Sequence, residues 1–139
     1  MKTRTTPSML IAILLAFLAL GATKAQAIII VNSRPVGITF GQTARVTSAN
    51  TGTRAMIINY TFLDSEGTVL AQFDRQVIEP GKMMSFDLNA DDIVRESNRI
   101  QIRVVIESPQ PHLRDVRLSL EVFNNADGKT TVFIGDPNL

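Results

Sequence analysis

The chain contains no cysteine and no tryptophan, and only one histidine and one tyrosine among 139 residues. Each shortage removes a class of chemistry. Without cysteine there is no disulfide framework, no thiol nucleophile and no lipid attachment through a processed N-terminal cysteine. A lone histidine does not furnish the usual ligand set of a zinc site. That histidine, His112 in PQPHLRD, has Asp115 three residues on, but a proline-flanked loop supplies no low-dielectric pocket for a base. It reads as a solvated loop residue. The glycines sit singly at turn positions, so a phosphate-cradling loop is absent. A surplus of positive charge is missing too. The formal charge of +1 includes Lys2, Arg4 and Lys24, and beyond residue 27 there are 11 basic against 13 acidic residues. A mildly acidic remainder with interspersed signs lacks the footprint of nucleic-acid binding or of a polybasic lipid patch.

What is present begins with a targeting layout. Lys2 and Arg4 precede an unbroken apolar run, MLIAILLAFLAL, over residues 9–20, and Ala25-Gln26-Ala27 places small residues where a signal peptidase reads. Residues 1–27 are expected to be a signal peptide, cut before Ile28, with Thr23, Lys24 and Gln26 making the run too short to span a membrane. The chain is therefore expected in the periplasm or outside the cell, with no membrane span after cleavage. Residues 28–139 form a single expected domain, long enough to hold a core by packing alone.

A helical period is nearly absent; a period of two recurs. Met56, Ile58, Tyr60 and Phe62 alternate with Ile57, Asn59 and Thr61. Ile100, Ile102, Val104 and Ile106 form a second such series, and Val116, Leu118, Leu120 and Val122 a third. Strand residues alternate between faces, so each run offers one apolar and one mainly polar face. DSEG at 64–67 and DGK at 127–129 read as hairpin turns, and Pro80-Gly81 as a turn feeding KMMSFDL. Asn89 is a candidate N-cap for one or two helical turns running to Arg95. The apolar start IIIV, residues 28–31, pairs either within the domain, which is the preferred reading, or with another chain by strand addition. The spacing predicts an all-β, antiparallel sandwich of about seven or eight strands.

The succession Gly41-Gln42, the strand ARVTSA, the corner Asn50-Thr51-Gly52, a long alternating strand and a Pro-Gly turn before Ser85-Phe86 resembles bacterial immunoglobulin-like adhesion and surface domains. From GITFGQ through DGKTTVFIGDP the chain is also similar to a group of small exported bacterial proteins to which no activity is assigned. The resemblance implies an immunoglobulin-like sandwich and no particular ligand. The chain departs from true immunoglobulin domains in lacking the cysteine pair and any tryptophan.

Chemistry is hard to assemble from the remaining residues. The oxygen-bearing clusters Asp64/Glu66, Asn124/Asn125/Asp127 and Asp91/Asp92/Glu96 lack the density of a calcium loop. No two acids are brought together for glycoside hydrolysis. No enzyme activity, metal or cofactor is expected. The candidate contact residues are Arg54, which follows the Asn50-Thr51-Gly52 corner and should face solvent, and four strand residues. Arg99 and Arg103 lie on the polar face of one strand, Arg117 and Glu121 on that of the next, and these form one charged outer face if the two strands pair. Cross-strand Arg–Glu pairs also stabilise a sheet with no partner at all. The expected function is an exported, non-catalytic module acting by contact with an unknown protein or glycan, as a monomer or weak oligomer. A subunit of a surface assembly joined through the apolar N-terminal strand is the alternative. A less favoured one is a protease inhibitor, because Asn50-Thr51-Gly52 faintly resembles an inserting N-P-T-T-G loop of small sandwich inhibitors of cysteine proteases. Their companion tryptophan loop has no counterpart here.

Overall fold

A computed structural model describes residues 28–94, 98–111 and 113–135. The expected signal peptide and its cut, His112, Arg95 and Glu96 lie outside the described residues. The described chain forms nine strands in two antiparallel sheets that face each other as a sandwich. In order these are β1 (Ile29–Asn32), β2 (Val36–Thr39), β3 (Gln42–Asn50), β4 (Met56–Asp64), β5 (Val69–Ile78), β6 (Met83–Asn89), β7 (Arg99–Ser108), β8 (Val116–Asn124) and β9 (Thr130–Gly135). In the first sheet, β7 and β4 are central, β5 lies outside β4, and β1 and β2 pair in tandem along the far side of β7. The second sheet runs β6-β3-β8-β9.

The period of two does what pleated geometry requires. Met56, Ile58, Tyr60 and Phe62 on β4, with Ile102, Val104 and Ile106 on β7, point into the core of the first sheet. Ala44 and Val46 on β3, with Val116, Leu118, Leu120 and Val122 on β8, meet them from the second. Where β5 and β6 leave the sandwich open at its side, an aromatic chain closes it. Tyr60 stacks on Phe86 at 4.7 Å between centroids, Phe86 on Phe73 at 4.6 Å, and Phe73 meets Phe62 edge-on at 6.4 Å.

The count exceeds the expected seven or eight because the first strand is split. The segment Ser33-Arg34-Pro35 separates β1 from β2, and Pro35 has no N–H to give a ladder. Ser33 fills the gap. Its backbone N–H donates to the Val104 carbonyl at 2.8 Å, and its Oγ accepts from the Val104 N–H at 2.8 Å, in place of a backbone carbonyl. The IIIV start pairs within the domain, Ile29–Asn32 against Val105–Ser108.

The hairpin turns form as expected. Gly67 and Gly128 adopt φ of +87° and +68°, which a side chain would resist, and Asp64 accepts from the amides of Glu66 and Thr68. Those amide donors, Thr68 foremost, hold the Asp64 carboxyl below its ordinary range. Asn89 caps a single 3-10 turn, Ala90–Asp92, by accepting from the Asp91 N–H. An irregularity interrupts β5. Asn59 on β4 stands opposite both Asp74 and Arg75, and Arg75 adopts φ +52°, the only non-glycine positive φ among the described residues. A bulge of this kind costs about 1–2 kcal/mol in backbone strain and re-aims the side chains beside it. The Asn59 Oδ1 secures it by accepting from the Arg75 N–H at 2.7 Å.

Candidate functional site

The corner after β3 is built around one buried side chain. Asn50 is 1% exposed, and its amide group donates to the carbonyls of Arg54 at 2.7 Å and Ile78 at 2.8 Å. Its Oδ1 accepts from the Gly52 N–H at 2.9 Å, closing an Asx turn. Its backbone is used as well: Asn50 N–H donates to the Lys82 carbonyl and its own carbonyl accepts from Gly81 N–H, both at 2.9 Å. One residue thus joins the end of β3, the approach to β4, the end of β5 and the Pro80-Gly81 turn. Thr51 adds a link to the second 3-10 turn, Leu113–Asp115, donating to the Asp115 carbonyl from both its N–H and its hydroxyl.

Over this floor lies a notch of about 250 Å³ walled by Gly52, Thr53, Arg54, Arg114 and Asp115. A side chain at Gly52 would come within 3.0 Å of the Asp115 Cβ, so the two loops pack closely because position 52 is glycine. Arg54 and Arg114 are exposed, and neither makes an ion pair among the described residues; the only one there is Arg45–Asp87. Two unpaired guanidiniums beside one polar notch can hold a planar anion with forked donors. Among the described lining residues no hydrogen bond joins a hydroxyl to a side-chain base. Among the described residues no group of three or more His, Asp or Glu is arranged to hold a metal ion. The carboxylates weighed for calcium have other partners: Asp91 accepts from the Gly41 N–H at 2.5 Å and from Asn125 at 3.2 Å, tying together the opposite end of the sandwich.

The structure separates the other four candidates. Arg99 and Arg103 lie on the outer face of the first sheet, Arg117 and Glu121 on that of the second. The joint face that depended on these two strands pairing does not form, because β7 and β8 belong to different sheets. The connection from Pro109 to Asp115 crosses from one sheet to the other, and the apolar sides of the two strands face each other through the core. Arg99 lies across Gly37 on the neighbouring strand. Arg103 borders a shallow depression with Asp64, Ser65 and Pro35. Glu121 stands opposite Arg45 and accepts from the Thr130 hydroxyl. Arg45 forks onto Asp87 with two bonds of 2.7 Å and lies 5.1 Å from the centroid of the Phe123 ring. That row is an internally satisfied ladder, which accounts for Glu121 without a ligand.

Sequence reasoning singled out Arg54 and missed Arg114, its companion across the notch. The signal available was the placement of Arg114 between Leu113 and Asp115 in a loop that had to return over the same end of the sandwich. Comparisons with protein-family models, curated proteins and solved structures return no match. No helix among the described residues is long and apolar enough to cross a membrane.

Proposed function

We propose that this chain is an exported, non-catalytic module with an immunoglobulin-like sandwich, acting at the cell envelope or outside by contact with an acidic protein or glycan. The observation that carries the reading is the pair Arg54 and Arg114, unpaired within the described chain, beside a floor that the buried Asn50 holds in one shape. A preset loop loses little entropy when it takes a ligand, so two forked donors there give useful affinity. Export is supported by the charged start, the apolar run and the Ala25-Gln26-Ala27 site.

The other readings draw less support. The N-terminal strand is engaged with β7, so donating it to another chain first requires breaking that ladder. As for protease inhibition, Asn50 is buried and Gly52 belongs to its Asx turn, which leaves that stretch unsuited to inserting into a cleft.

Isothermal titration of the purified chain with an oligogalacturonate and with a glutamate-rich peptide tests the proposal. At least one probe should bind in the micromolar to millimolar range, more weakly as salt is raised. Arg54→Ala and Arg114→Ala should each weaken binding about tenfold, consistent with the loss of one charge-assisted contact. Arg103→Ala, opposite Leu63 at the far end of β4 from the notch, should not change it. Equal binding by all variants, or by none, defeats the assignment.

A further inference from the structure

The outer face of the first sheet is unusually apolar at the end that carries Ile28. Ile28, Ile30 and Val77 are 62%, 54% and 47% exposed. Ile57 lies between them, opposite Val77 in the register. Ile28 and Ile57 border a depression of about 200 Å³ with Asn59, Arg75 and Glu107. Clustered exposed apolar side chains of this kind mark an interaction surface.

The charges on this face fix which partner suits it. Glu107 on β7 stands directly opposite Asn59 on β4. Arg75 on β5 stands opposite the same Asn59 from the other side, in line with the pairs Ile57–Val77 and Ile58–Gln76, and donates its N–H to the Asn59 Oδ1. Cation and anion therefore flank β4, each one strand away at about 5 Å, with the exposed Asp74 beside the cation accepting from the Gln72 amide. Neither makes an ion pair among the described residues. We infer that this face binds a second copy of the chain. If two copies pack face to face about a two-fold axis running along β4, each Arg75 lies over the partner's Glu107, and each Ile57 meets its own counterpart. A two-fold interface requires this reciprocity, in which residue i meets residue j and j meets i. A one-sided patch of a single sign would not provide it.

The inference concerns a different surface from the Arg54–Arg114 notch and stands apart from it. Sedimentation velocity on the full chain, expressed with its N-terminal segment so that any native processing occurs, tests it directly. The wild type is expected to form a dimer with a dissociation constant at or below about 100 μM, a weak self-association. Val77→Asp should yield a monomer. Arg75→Glu and Glu107→Arg should each weaken the dimer at least tenfold, and the double swap should restore it to within about threefold. Circular dichroism and thermal melting identify any variant that fails to fold, in which case Ile30→Ser replaces it. A monomeric wild type at 100 μM overturns the inference, whatever else occupies this face. Single charge variants that dimerise like the wild type, or a double swap without recovery, overturn it equally.

Discussion

Asn50 shows how a polar residue can be read correctly in kind and still be underestimated. The spacing Asn50-Thr51-Gly52 announces an Asx turn, and the turn is there. Its burial could not be read locally, because the groups it satisfies belong to Ile78, Gly81 and Lys82, about thirty residues along the chain. Tyr60 presents the opposite case, a buried polar group with too little to satisfy it. Its hydroxyl and that of Ser48 are both buried without a partner in hydrogen-bond geometry. Burial pushes the Tyr60 phenol up to about 12, and the nearby Ser48 hydroxyl offsets this only in part. The folded-state pKa is above the unfolded value, so the associated stability is fully present below pH ~10 and is lost as pH rises towards the folded value, by about 1.4 kcal/mol per unit. Tyr60 is the only tyrosine and there is no tryptophan, so phenolate absorbance reports this one group. Titration should show it ionising together with unfolding, well above the ordinary tyrosine range. Tyr60→Phe should remove the alkaline loss linked to this group and leave neutral-pH stability within about 1 kcal/mol, because the hydroxyl it deletes lacks a partner. Ionisation near pH 10 in a still-folded protein would contradict this.

At the scale of elements, alternation told which side of a strand faces the core but not which sheet the strand joins. The apolar series on β7 and β8 were both legible, and both faces point inward as expected. Their pairing was not legible, because a seven-residue connection from Pro109 to Asp115 can either turn back as a hairpin or cross the sandwich. The bulge in β5 did leave a trace: inward positions shift parity between Phe73 and Ile78. The split first strand left only Pro35, and that a serine hydroxyl would complete the ladder beside it depends on the partner strand. Ser33→Ala would leave the buried Val104 N–H without its acceptor. It should cost about 1–3 kcal/mol in urea unfolding, with an unchanged slope against denaturant. A loss below a few tenths of a kcal/mol would show that the gap is closed some other way.

For the whole molecule, composition decided what could be excluded and little else. Without cysteine the sandwich is held by packing, and both of its faces and one end carry features that packing does not require. The second sheet's outer row Asp87–Arg45–Glu121 is satisfied within itself. The first sheet presents apolar residues with Arg75 and Glu107, neither of which makes an ion pair among the described residues, and the loop end presents Arg54 and Arg114. Sequence alone reached Arg54, because it follows a recognisable turn. It could not reach Arg114 or Arg75, whose significance comes from neighbours set by topology. The central claim is that the notch between Arg54 and Arg114 receives an acidic group. Its most direct test is a ¹⁵N-resolved NMR titration of the chain with the acidic probe that binds. The account predicts saturable shifts confined to the amides of Gly52, Thr53, Arg54, Arg114 and Asp115, abolished together in an Arg54→Ala, Arg114→Ala double variant. Shifts centred on another face, or shifts that persist in the double variant, would contradict it.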